Sequence, residues 1–274
     1  MKTYAFITGS ILLVLATCAP GTRAQNFTAT GGRALGLAGS SILLTDAYGL
    51  FNNPGATKVQ SLSFIGAYHT QYLNLGLNDA RLGIVMPIGQ FTTGLGVMYY
   101  GDKLFNQMQI SGLLVDEIGF SRISLRGNYH QYYVQGYGYR SALTLDIGGV
   151  FTLSRQLSLA MVFQNLTRSG LWGEASSPLN SLMQIGLSYQ PAAQFRLDMQ
   201  LEKTIADPVG FRLGMEYQIN EALSARTGFS PTASLAALGL GISWKNFTLD
   251  LAGNYQQQLG YSGVVAILIH KQVR

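Results

Sequence analysis

The amino-acid sequence predicts an all-β fold, a transmembrane antiparallel up-and-down β-barrel of about fourteen strands with a glycine-rich segment ahead of it. Three observations predict it. Apolar and polar residues alternate with period two in stretch after stretch, most cleanly where Phe195, Leu197, Met199 and Leu201 interleave with Arg196, Asp198, Gln200 and Glu202. Most of these stretches run about 9 to 12 residues, close to the roughly 9 to 11 that a tilted strand needs to cross a bilayer. The connections between them alternate short and long, as in an outer-membrane barrel with tight periplasmic turns and longer outer loops. A soluble sandwich, which meets water at both ends, has no reason to sort its loops this way.

The first element, residues 1–24, reads as a signal peptide. Lys2 gives a positive start, residues 5–16 are almost unbroken apolar, and Thr22-Arg23-Ala24 has the small-x-small spacing of a cleavage site before Gln25. The apolar core, about 12 residues, is too short to span a membrane as a helix. Cys18 is the only cysteine; the Leu-Ala-Thr before it loosely resembles a lipoprotein box, with Thr17 a poor fit, and if Cys18 leaves with this peptide no thiol remains in the mature chain. Loss of Lys2 and Arg23 leaves 16 basic residues against 13 acidic, a balance too mild and scattered for a nucleic-acid protein.

The second element, residues 25–58, contains RALGLAGSSILLTDAYGLFNNPG at positions 33–55. Its glycines Gly32, Gly36 and Gly39, then Asp46-Ala47, then Phe51 followed by Asn53, Pro54 and Gly55, resemble the mature start of the FadL and PorV/PorQ families of outer-membrane barrels. Where those families usually carry alanine and then glycine after Asn-Pro, this chain has Gly55 directly. The resemblance implies a plug or hatch folded inside the barrel. Physics is compatible with that, because a barrel this wide is not filled by its own side chains, and Asn53-Pro54-Gly55 suits a sharp turn into the first strand. The other reading is a short helix and extended arm at the periplasmic mouth, N-capped by Asp46.

The third element, residues 59–274, is the barrel. Its strands are expected near 61–72, 79–88, 91–101, 113–121, 123–133, 141–153, 156–165, 181–190, 193–203, 209–219, 221–229, 235–244, 246–255 and 261–270. Short connections fall at 89–90, 122, 154–155, 191–192, 220 and 245–246, and longer ones at 73–78, 102–112, 134–140, 166–180, 204–208, 230–234 and 256–260. Tyrosines 68, 72, 99, 100, 132, 133, 255 and 261 gather toward the long-loop ends, and Phe91, Phe120, Phe151, Tyr189, Phe195, Trp244 and Phe247 toward the short turns, as two interfacial girdles would.

The parity of the strands puts Arg196, Asp198, Glu202, Arg212, Glu216 and Arg226 on the lumen side, with Phe211, Leu213 and Met215 toward lipid. Such mixed-sign neighbours form a lattice that closes the interior rather than a single-sign permeation filter. On this register Leu213→Arg is expected to be costly and Arg212→Gln cheap. His69, His130 and His270 share no metal-ligand spacing, and Gly94-Leu95-Gly96 and Gly239-Leu240-Gly241 lie within strands with no helix following, so neither an enzyme, a metal nor a cofactor is expected.

The resemblance implies two functions. One is a binding or assembly role linked to type IX secretion, with secretion-system proteins or secreted cargo as partners. The alternative is FadL-like transport of a hydrophobic small molecule across the outer membrane. The opening motif and compact loops bring the chain nearer PorV/PorQ, so assembly is the expectation. In either case outer-membrane lipid is a partner, nucleic acid is not, and the mature chain resides in the outer membrane of a Gram-negative bacterium.

Overall fold

The computed structural model describes residues 29–73, 75–171, 179–205 and 207–271. The expected signal peptide 1–24, its cleavage before Gln25, and Cys18 lie outside the described residues.

Fourteen strands form one closed barrel. In chain order they are β1 Ser63–Gln71, β2 Leu77–Ile88, β3 Phe91–Gly101, β4 Phe105–Ile118, β5 Ser121–Val134, β6 Gly138–Thr152, β7 Leu157–Gln164, β8 Leu182–Ala192, β9 Phe195–Thr204, β10 Gly210–Gln218, β11 Leu223–Ser230, β12 Leu235–Trp244, β13 Phe247–Gln256 and β14 Gly260–His270. Each pairs antiparallel with its sequence neighbours, and β1 closes on β14 with Ser63 opposite His270 and Gly66 opposite Ile267.

Period-two alternation in the sequence becomes the two faces of this wall. On β10, Arg212, Gly214 and Glu216 are buried on the inner face while Met215 and Tyr217 are exposed on the outer one. Leu82, Leu95, Leu125, Leu143, Leu238 and Leu240 are likewise exposed. A closed wall pairs all its backbone groups strand to strand, so an apolar exterior of this extent is what a bilayer solvates. Among the described residues no helix is long and apolar enough to cross a membrane.

The strands outrun the expected loops. β4 starts at Phe105 rather than near 113, and the connection expected at 102–112 shrinks to 102–104. Polar Gln107 and Gln109 read as loop residues, but they point into the cavity described below, where polarity is compatible with a strand. Asp102 makes the tight turn by accepting from the N–H groups of Leu104 and Phe105, at 2.8 and 2.9 Å. Those N–H groups, that of Phe105 first, hold its carboxyl below the usual carboxylate range.

The loop expected at 134–140 contracts to 135–137, with Gly136 and Gly138 at positive φ. The turn expected at Arg122 is instead Gly119-Phe120, with Gly119 at φ 60, and Arg122 lies in β5. Strict alternation of loop lengths therefore fails where 153–156 outlasts 135–137.

The girdles also need correction. Tyr133 packs on Tyr139 and Tyr255 on Tyr261 across strand pairs, with ring centroids 4.9 and 4.8 Å apart. Tyr72, Tyr100 and Tyr132, however, line the interior cavity. Strand parity requires it for Tyr100 and Tyr132, since their neighbours Tyr99 and Tyr133 occupy the outer face.

Candidate functional site

Residues 30–57 run along the inward faces of the wall. The helical turn α1, Gly32–Gly36, lies against β12 and β13. Glycine is required there: a Cβ on Gly32 would stand 2.6 Å from the Asp250 carbonyl oxygen, and one on Gly36 would meet the Gly239 Cα at 3.0 Å. The wall reciprocates with glycines of its own. Gly214 and Gly228 receive Leu37, Gly186 receives Ile42 and Leu43, and Gly83, Gly94 and Gly96 receive Leu50 and Phe51. Leu37, Ile42 and Leu50 are completely buried by this packing. The Gly-Leu-Gly pairs at 94–96 and 239–241 are thus smooth stretches of wall, not fragments of a nucleotide site.

Polar groups fix the path of the segment. Gln200 Oε1 accepts from the N–H groups of Ser41 and Ile42 at 3.0 and 3.3 Å. Asp46 caps the helical turn Ala47–Leu50 by accepting from the Tyr48 N–H at 2.8 Å, the capping role expected of it. Asn53 caps the turn Pro54–Ala56 by accepting from the Gly55 N–H at 2.9 Å, and it donates to the Ile42 carbonyl at 2.7 Å. A Cβ on Gly55 would meet the Gly148 and Gly149 backbone at 2.8 Å. The Tyr48 hydroxyl reaches the carbonyl oxygens of both Gly66 and Ile267, at 2.9 and 2.8 Å.

Arginines of the wall grip the segment by its backbone. Arg122 donates to the Gly55 carbonyl at 3.1 Å, Arg126 to Leu50 at 2.7 Å, Arg196 to Leu43 at 2.6 Å and Arg212 to Ala38 at 2.8 Å. Three of them also hold a wall carboxylate: Arg126 with Asp146 at 2.7 Å, Arg196 with Asp198 at 2.8 Å, and Arg212 with Glu202 at 2.8 Å. Arg226 bridges Glu216 and Asp250. From the segment, Arg33 reaches Glu216 at 2.6 Å and Asp46 at 3.4 Å. Burial opposes the Arg33 charge, but Glu216 and then Asp46 outweigh it and hold its pKa above the ordinary arginine value.

The six charged residues singled out in the sequence form three ion pairs, Arg196–Asp198, Arg212–Glu202 and Arg226–Glu216. Gly32, Gly36, Gly39, Asp46, Asn53, Pro54 and Gly55 lie in the segment the wall holds, with Gly39 at φ 79 against the Arg212 guanidinium. Sequence reasoning missed Arg122, Arg126, Asp146 and Asp250, which obey the same strand parity, and the wall glycines that face the segment.

Toward the long-loop end the segment leaves a cavity of about 610 Å³. Gly39, Ser41, Phe51 and Asn52 contribute to its floor, while Tyr72, Leu75 and Leu259 line it from the long-loop side. Leu77, Met98, Phe105, Tyr100 and Tyr132 supply apolar and aromatic wall, and the pairs Asp79–Arg81, Arg126–Asp146 and Arg212–Glu202 lie lower. His130 bonds to Thr144 and Gln107, His270 to Ser63, and His69 is buried with neither ring nitrogen hydrogen-bonded. Among the described residues no three His, Cys, Asp or Glu side chains form a group able to hold a metal.

No protein-family model matches the chain, and no curated protein matches it in sequence. Solved structures do share its fold. The CymD monoaromatic hydrocarbon channel superposes over 91% of this chain and 100% of its own, with 11% identity and a TM-score of 0.65. The toluene transporter TodX of Pseudomonas putida covers 90% and 98%, at 8% identity and 0.65. A FadL homologue of Pseudomonas aeruginosa covers 88% and 98%, at 12% identity and 0.52. At these identities the likeness is one of architecture.

Proposed function

We propose that this chain is an integral outer-membrane barrel that takes up a small, largely hydrophobic molecule at the long-loop mouth, in the manner of FadL-like transport, with residues 30–57 as the hatch below the binding cavity. The observation that carries this reading is the cavity itself: about 610 Å³, floored by the segment and lined at its outer side by Leu75, Leu77, Phe105 and Leu259. That volume suits a drug-sized ligand, for which pockets of about 300–1,000 Å³ are usual, and is far too small for a protein cargo. Likeness to two hydrocarbon channels weighs in the same direction, toward transport and away from the type IX secretion role.

Uptake of a radiolabelled monoaromatic hydrocarbon by cells making the protein tests this. It should exceed that of cells making none, and Leu77→Trp, which fills the cavity, should abolish the excess while heat-modifiable gel migration stays unchanged. Equal uptake with and without the protein would overturn the transport reading.

A further inference from the structure

We infer that the cavity selects an uncharged aromatic ring carrying a hydroxyl group, a phenol-class ligand, over both a plain hydrocarbon and an aromatic carboxylate. This deepens the transport reading and rests on it.

The charged residues lining the cavity exclude an ion. They are three arginines and three carboxylates, matched one to one: Arg81 with Asp79 at 2.7 Å, Arg126 with Asp146 at 2.7 Å, and Arg212 with Glu202 at 2.8 Å. A carboxylate ligand would find every guanidinium already holding an anion and would place a second negative charge beside the first. Its desolvation would go uncompensated.

The aromatic side chains favour a ring. Tyr100 and Phe105 meet edge to face with centroids 6.4 Å apart, Phe105 and Tyr132 lie 6.4 Å apart, and Tyr132 stacks on His130 at 6.2 Å. Register places them on one level, with Tyr100 opposite Gln107 and Gln107 opposite Tyr132. The result is a continuous aromatic surface on one side of the cavity, suited to an offset or edge-on ring.

Neutral hydrogen-bonding groups then decide against a bare hydrocarbon. Tyr100, Tyr132 and Gln164 line the cavity, and among the described residues the hydroxyls of the two tyrosines and the amide of Gln164 make no hydrogen bond. A hydrocarbon would displace their water and satisfy none of them, whereas a ligand hydroxyl both donates and accepts. Sites built this way discriminate by leaving their own polar groups unpaired with the wrong ligand.

The test uses three probes that share one ring system and differ in one substituent: 2-naphthol, 2-methylnaphthalene and 2-naphthoate at neutral pH. Binding to the full chain in nanodiscs is measured by equilibrium dialysis against protein-free nanodiscs, which subtracts partition into lipid. 2-Naphthol should bind about tenfold more tightly than 2-methylnaphthalene, the ratio that one to two ordinary hydrogen bonds give, with 2-naphthoate weakest. In the variant Tyr100→Phe, Tyr132→Phe, Gln164→Leu the naphthol preference should fall to near parity while methylnaphthalene binding is kept, which shows the cavity intact.

Tighter or equal binding of 2-methylnaphthalene would make the site purely apolar, overturning this inference and leaving the transport reading standing. Tightest binding of 2-naphthoate would make it an anion site, and a naphthol preference that survives the triple variant would place the hydroxyl contact elsewhere; either overturns the inference. Binding of none of the three to the wild-type chain would overturn the transport reading as well.

Discussion

Arg212 holds Glu202 with two of its nitrogens and the Ala38 carbonyl with the third. That shared use changes the expectation drawn from parity alone, under which Arg212→Gln is cheap. Losing the guanidinium strands a buried carboxylate and a backbone carbonyl together, and breaking a buried pair from one side costs about 3–5 kcal/mol. Contact of Glu202 with the cavity softens this, so the loss should be similar to the roughly 2–4 kcal/mol of an arginine placed on the lipid face near the midplane, as in Leu213→Arg. Adding Glu202→Gln to Arg212→Gln should recover part of the loss. Urea titrations of the three variants in lipid check this, and equal losses in the single and double variants would contradict the pairing. Tyrosine shows what the sequence conceals at this scale. Its ring and hydroxyl suit a membrane interface and a wet cavity equally well, so Tyr99 and Tyr100 look alike until the parity of β3 separates them.

Among the elements, the interior segment and the wall fit by the absence of side chains. Gly228 meets the backbone of Leu37 and Ala38 so closely that no Cβ can be added without moving the segment. Gly228→Val should therefore expel the segment and leave the wall standing, because the strand ladders do not depend on it. Deleting residues 30–50 should do the same, and both variants should fold and conduct small ions in planar bilayers where the full chain is silent. Silence of a well-folded deletion variant would show that the lattice of Arg196, Asp198, Arg212 and Glu216 closes the lumen without the segment. The spacing of Gly32, Gly36 and Gly39 was legible only as part of a motif whose resemblance implied a segment inside the barrel. Its partners were not, because a glycine within an alternating strand signals only that something approaches, and the pairing of Gly36 with Gly239 spans most of the chain.

Taken as a whole molecule, the barrel was legible to the number of strands, because period two is clear in stretches such as Phe195–Thr204 and Gly210–Gln218. Loop lengths were less so. At 105–112 the alternation is interrupted, because Phe105 lines the cavity together with Gln107 and Gln109 while polar Asn106 takes the outward parity. The position of Tyr48 has a kinetic consequence for the assembled protein. Thirteen of the fourteen strand pairings join sequence neighbours, and the last joins Gly66 on β1 to Ile267 on β14, the ends of the wall. Closing that seam brings together the most distant parts of the chain and carries the largest loop entropy. Tyr48 touches both edges of the seam, at the very residues that pair, so it senses whether the cylinder has closed with the segment in its place. Tyr48→Phe should leave strand content unchanged yet slow the final compaction, seen as delayed appearance of the heat-modifiable band during refolding into lipid. An unchanged time course would show that the segment settles only after closure; a slower one would make residue 48 the stitch that lets a cylinder finish only around its own contents.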